Sequence, residues 1–165
     1  MKQITEKEAV LRLSALCSQA EHCTYEMREK MRRWQLAEEA QDRVMEYLTN
    51  HKFVDDERFA RYFAIDKVRY NKWGRRKVEQ ALWAKHVDDD IRSRVLDDIS
   101  DEEYLKVLRP LLRSKLRSVK ADSDYELNLK LTRYALGRGF TMDLIRQCLD
   151  GAGEVEMEDE DFLAD

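Results

Sequence analysis

The chain is short of the residues that interrupt helices. Its 165 residues include five glycines and one proline, which leaves few places for a regular helix to be broken. Cysteine is scarce too. Cys17, Cys23 and Cys148 are odd in number and lack C-x-x-C spacing, so they read as free thiols of a reducing cytosol rather than a disulfide frame or metal site. His22, His51 and His86 are far apart and never fall in a metal motif such as H-E-x-x-H. No run approaches 18 apolar residues, and the first ten, MKQITEKEAV, hold no apolar stretch. No spanning helix and no signal peptide are therefore expected. A cytoplasmic location is expected, with no cofactor, no metal and no membrane partner.

What the chain does have is charge and helix formers. Charged residues make up 39%, and Ala, Glu, Lys, Leu and Arg fill just under half the positions. This is the composition of amphipathic helices with large solvated faces, so an extended shape is expected. The net charge of −4 hides a segregated pattern. Lys67 to Lys85 carries seven cations against Glu79 alone, and Lys106 to Lys120 carries six with no acid. Glu154 to Asp165 carries seven acids and no base. A mildly acidic protein with this pattern still presents cationic surface.

Capping signals mark where helices start. Thr5 with Glu8, Ser100 with Glu103 and Ser123 with Glu126 are capping boxes. Thr24 reads as a further N-cap, and Asp55-Asp56 as the acidic start of a middle unit. Behind the caps run apolar stripes: Ala9, Leu13, Leu16 and Cys17; Met27, Met31 and Trp34; Ala40, Val44, Tyr47 and Leu48; Phe59, Phe63 and Tyr70; Val78 and Leu82; Ile91, Val95 and Ile99; Tyr104, Leu108 and Leu112; Leu131 and Ala135; Leu144, Cys148 and Leu149. Pro110 interrupts one of them, where a kink or a restart is expected. Trp34 reads as partly buried, and Trp83, beside the Val78–Leu82 stripe, as partly buried or exposed.

The stripes align with one another at offsets of 51 and 53 residues. Met27, Met31, Trp34 and Leu36 fall on Val78, Leu82, Lys85 and Val87, then on Leu131, Ala135, Arg138 and Phe140. A period near 50 with three helices each marks an array of small units. The expected fold is all-α, with three tandem three-helix repeats in an elongated, curved molecule. The units are read as 1–52, 53–99 and 100–152, followed by an acidic, disordered tail over 153–165.

The middle stretch resembles the RecX family, regulators of the RecA recombinase. The resemblance lies in Asp55-Asp56-Glu57-Arg58-Phe59-Ala60, then a basic turn, then Arg75-Arg76-Lys77-Val78-Glu79-Gln80-Ala81-Leu82 with Lys85. Two positions depart from the family pattern. Members usually carry Gly where this chain has Lys52 and where it has His86, although Gly139 keeps that place in the third unit. Glycine there would serve a left-handed helix end. The resemblance implies a non-enzymatic, monomeric helical protein that binds the RecA–DNA filament and modulates recombination, usually by inhibition.

The candidate partner surface is Arg69, Lys72, Trp73, Arg75, Arg76 and Lys77. From the residues alone, this cation run reads as a solvated face with Trp73 tucked inward. The resemblance turns it into a surface for filament or DNA, the cations meeting phosphate and Trp73 stacking on a base or filling a pocket. Lys106, Arg109 and Arg113 share a helix face. With Lys115, Arg117 and Lys120 they form a second patch, of which Arg109 and Arg113 are carried as candidates, though a solubilising face is the stronger reading. Single- or double-stranded DNA is expected as a weaker, non-specific partner, and a stand-alone DNA-binding helical module is the alternative function. Asp55 and Asp56 read as helix caps, not as paired catalytic acids, and Gly137-x-Gly139 as a turn, not a dinucleotide loop.

Overall fold

The computed structural model describes residues 3–150. The acidic segment assigned to 153–165 lies outside the described residues. Among those described, the regular structure is all helix: α1 Glu6–Gln19, α2 Thr24–Arg33, α3 Glu38–Asn50, α4 Asp56–Arg69, α5 Arg75–Ala84, α6 Asp89–Asp97, α7 Asp101–Ser118, α8 Asp124–Gly137 and α9 Met142–Asp150.

Contacts group the described chain into two compact units. One holds the residues up to Phe63 together with Ala81–Val95; the other holds Ala64–Gln80 together with the residues from Leu96 on. The division falls inside α4, α5 and α6.

In the first unit, α3 packs on both α1 and α2. Leu13, Met27, Met31, Val44 and Leu48 are at most 1% exposed and form its centre. In the second unit, α7, α8 and α9 pack against one another in all three pairings. Leu108, Ala135, Phe140 and Ile145 are fully buried there. Full burial of each large side chain contributes about 1.5–3 kcal/mol, so these stripes hold the units together.

The helix starts follow the expected chemistry in their hydroxyl half; among the described residues the glutamate expected to return to the cap amide does not do so for Glu8, Glu103 or Glu126, the last accepting from the Asp122 amide at 3.2 Å instead. Thr5 Oγ1 accepts from the Glu8 amide at 3.1 Å, Ser100 Oγ from Glu103 at 3.3 Å and Ser123 Oγ from Glu126 at 3.1 Å. Asp55 accepts from the Arg58 amide at 3.0 Å. Thr24 is a correction: it is the first residue of α2, and Cys23 is the N-cap. Its amide is instead satisfied by Asp56 Oδ1 at 2.8 Å. Asp56 therefore caps a helix 32 residues away, which local pattern cannot reveal.

Other positions also depart from the stripes. Tyr70 is 78% exposed because α4 ends at Arg69. Tyr47 faces solvent and stacks on His51. Trp83 is 68% exposed. Helix α7 runs through Pro110 without a restart: an exposed ring and a long buried face on either side tolerate one lost hydrogen bond.

The second-helix ends repeat closely. Gln35, His86 and Gly139 all have positive φ, at 59°, 57° and 95°, spaced by 51 and 53 residues. In each, the next amide reaches back five residues: Leu36 to Met31 at 3.0 Å, Val87 to Leu82 at 3.1 Å and Phe140 to Ala135 at 3.1 Å. Leu36, Val87 and Phe140 are then buried. This is the Schellman ending, with its hydrophobic contact, made three times. Lys52, at φ 60°, ends α3 in the same way, with Phe53 N–H donating to Leu48 O at 2.8 Å. The left-handed geometry is kept at Lys52 and His86 although neither is glycine.

Candidate partner-binding surface

The cationic segment connects α4 to α5 and lies within the second unit. The chain leaves α4 after Arg69 and turns through Lys72, which sits at φ 58°. The Trp73 amide then donates back to Lys67 O at 3.1 Å. Gly74 brings this loop against the turn between α8 and α9. Its amide donates to Arg138 O at 2.8 Å, and the Arg76 amide donates to Gly139 O at 2.9 Å. A Cβ on Gly74 would stand 2.5 Å from Gly139 O, and one on Gly139 would stand 2.6 Å from Lys77 N. Two backbones cross here at a distance only glycine permits. From the other side, Arg138 Nε donates to Lys72 O at 3.3 Å, and its Nη2 donates to Asn71 O.

Trp73 is half-buried, neither entombed nor free. Lys77 Nζ lies 4.9 Å and Lys67 Nζ 5.3 Å from its ring centroid. Each such cation–π contact is worth about 0.5–1 kcal/mol at an exposed site. The indole is thus a spacer holding two ammonium groups, more than an open platform for a base.

The expected cations divide into four groups. Arg69, Lys72 and Arg76 are exposed, and their side chains make no ion pair or hydrogen bond among the described residues. Lys77 is gathered onto Trp73. Arg75 pairs with Asp97 at 2.6 Å beside Tyr104, whose hydroxyl is pushed up to about 12 by burial, with the Arg75 charge opposing. Arg109 and Arg113 are only partly exposed and face Cys148 on α9. Burial raises the Cys148 thiol, while the Arg109 charge and hydrogen bond and the Arg113 charge pull it back. The structure joins these two arginines to Cys148 rather than to Trp73.

Lys67, Tyr70 and Arg138 belong to this surface although sequence reasoning did not select them. Tyr70 stands exposed at the loop's entrance. Arg138 is bound to its partners across 66 and 67 residues, and no local signal announces it. Among the described residues no cluster of three or more His, Cys, Asp or Glu is placed to hold a metal. No helix among them is long and apolar enough to cross a membrane.

Comparison with known proteins adds what geometry alone does not. Residues 55–96 match the second three-helix domain of RecX, and residues 101–149 match the third. The chain belongs to the RecX family. It is 33% identical over 128 residues to the regulatory protein RecX of Clostridium acetobutylicum, covering 75% of this chain and 59% of that protein. It is 32% identical over 130 residues to the regulatory protein RecX of Prosthecochloris aestuarii, covering 79% of this chain and 83% of that one. The crystal structure of RecX from Lactobacillus salivarius superposes with a TM-score of 0.83, covering 92% of this chain and 97% of that one at 17% identity. A likeness at that identity establishes the all-helical RecX fold of tandem three-helix domains. The relatives bear the name of regulatory proteins, and the matched domains carry the cationic loop at their junction with the α8–α9 turn.

Proposed function

We propose that this chain regulates homologous recombination by binding the filament that a RecA-type recombinase forms on DNA, and that it lowers the filament's ATP turnover and strand exchange. The observation that carries this reading is the α4–α5 loop. It presents Arg69, Lys72 and Arg76 without partners among the described residues on a backbone pinned by Gly74, Gly139 and Arg138. A pinned backbone has little freedom left to lose when the loop meets a polyanion, which confines the ordering cost to the side chains. Each phosphate neutralised also releases counterions. One molecule contacting adjacent filament subunits would hold them together through the nucleotide cycle. No step of this account needs a catalytic group of the chain's own.

The test compares binding of the protein to a recombinase filament on single-stranded DNA with binding to the same DNA bare, across a salt series. The filament is expected to bind more tightly. Changing Arg69, Lys72 and Arg76 together to Glu is expected to weaken filament binding by about tenfold or more and to flatten its salt dependence. Equal affinity for bare DNA would replace this reading with a stand-alone DNA-binding module. Undiminished binding by the triple variant would move the docking surface elsewhere.

A further inference from the structure

We infer that the corner between α5 and α6 is a second binding surface, and that it receives a lysine or arginine side chain from a protein partner. The corner holds an open groove of about 550 Å³ lined by Trp83, Ala84, His86, Val87, Asp88, Asp89 and Arg92. All of these lie in the first unit, away in sequence from the cationic loop of the second.

The chain's three tryptophans set the expectation. Trp34 carries Arg12 over its ring at 5.6 Å, and Trp73 carries Lys67 and Lys77. Trp83 is 68% exposed, and no cation of the described residues covers it. Its π-face is the one left open to a cation from outside.

The charges around it favour the same occupant. Arg92 is the one Lys or Arg of the lining, and its charge is paired internally. Its side chain is 12% exposed, donates to Val87 O and pairs with Asp89. His86 lies stacked on Tyr25, with ring centroids 4.3 Å apart. Asp88 remains. It precedes α6, yet among the described residues its carboxylate accepts from no amide of that helix, unlike the Asp55 carboxylate and the Thr5, Ser100 and Ser123 hydroxyls at their own helices. It has no counter-ion among the described residues. An open indole and an unpaired carboxylate in one groove form a pair suited to an ammonium or guanidinium group, with the aliphatic stem lying along Trp83. The left-handed turn at His86 carries the chain from α5 into α6 and sets Trp83 and Asp88 on the same corner.

The experiment follows the tryptophan indole N–H signals of the full chain by NMR, assigned with single Trp→Phe variants. An acetylated, amidated tetrapeptide carrying one Lys is titrated in, alongside the same peptide with Gln in its place. The Trp83 signal is expected to move saturably with the Lys peptide, those of Trp34 and Trp73 to stay, and the Gln peptide to bind about fivefold more weakly or worse. Read from the backbone amide signals of residues 84–89, Trp83→Ala and Asp88→Asn, both at exposed positions, are each expected to weaken binding about threefold or more, and Trp83→Phe to keep it within about twofold. Circular dichroism checks that each variant is folded. Equal response to the Gln peptide, or a Trp83 signal unmoved at saturating peptide, would overturn the inference. So would a signal that moves on dilution without peptide, because the occupant would then be a second copy of this chain. Variants at Arg69, Lys72 and Arg76 should leave this titration unchanged, which keeps it separable from the filament reading.

Discussion

Gly74 and Gly139 cross so closely that a side-chain carbon on the first would stand 2.5 Å from the carbonyl oxygen of the second. This crossing fixes the cationic loop to the α8–α9 turn through the Gly74 and Arg76 amides. Adding a methyl group at either glycine forces the backbones apart. At Gly139 it also places a side chain at φ 95°.

Gly139→Ala and Gly74→Ala are therefore expected to destabilise the protein by about 2 kcal/mol or more each. Gly137→Ala, where an added carbon meets nothing within 4 Å, is expected to be neutral or to stabilise by up to about 1 kcal/mol. Urea denaturation midpoints compare the three. A Gly139 variant as stable as the Gly137 variant would contradict the crossing.

The left-handed helix ends give an opposite expectation. Lys52 is exposed, holds φ 60° and uses its carbonyl, not its side chain, to accept from Arg58 at 3.0 Å. Lys52→Gly keeps that bond and removes the strain of a Cβ in this conformation. A gain of about 0.5–1 kcal/mol is expected. Loss of stability on this change would show that the lysine side chain has a role the structure does not display.

Glu26 supplies a pH prediction. Burial alone would raise its carboxyl. Hydrogen bonds from the Cys23 amide at 3.1 Å and Lys85 Nζ at 3.2 Å, with the Lys85 and His22 charges, outweigh it and hold the carboxyl below its ordinary 4.5. A lowered folded value means the contribution is fully present above pH 4.5 and is lost as pH falls through the folded value. Glu26→Gln should lower stability at pH 7 and flatten the acid side of the stability profile below about pH 4.5. Thermal unfolding from pH 3 to 7 measures it. Parallel profiles for the two proteins would contradict it.

Much of the helical plan was legible because caps and stripes are local. Ser100 and Ser123 cap where their neighbours three residues on say they should, and Leu13, Met27 and Leu108 are buried on schedule. The repeat could be read from spacing, and the structure shows it most directly in the shared endings at Gln35, His86 and Gly139. Long-range features were not legible. Asp56 caps α2 across 32 residues, and Arg138 grips the loop across 66. Arg75 looked like its neighbours Arg76 and Lys77, yet Asp97 claims it 22 positions away. Tyr70 continues the α4 spacing in the sequence, but the helix has already ended. Periodicity cannot say which turn of a stripe is the last.

Arg138→Ala tests whether the loop is held as described. It removes donors to Lys72 O and Asn71 O while leaving the Gly74 and Arg76 amide bonds in place. Amide exchange should speed up over residues 70–74 and stay unchanged in α1–α3, with a global loss of about 1–2 kcal/mol. Unchanged exchange at the loop would mean that the glycine crossing suffices.

The central claim, a pinned cationic loop that grips a recombinase filament, is tested most directly by ATP turnover of the recombinase on single-stranded DNA. The wild-type chain is expected to lower turnover at stoichiometric concentration. The variant with Arg69, Lys72 and Arg76 changed to Glu is expected to leave turnover near its unregulated rate. Equal inhibition by both proteins, or no effect of the wild type, would contradict the account.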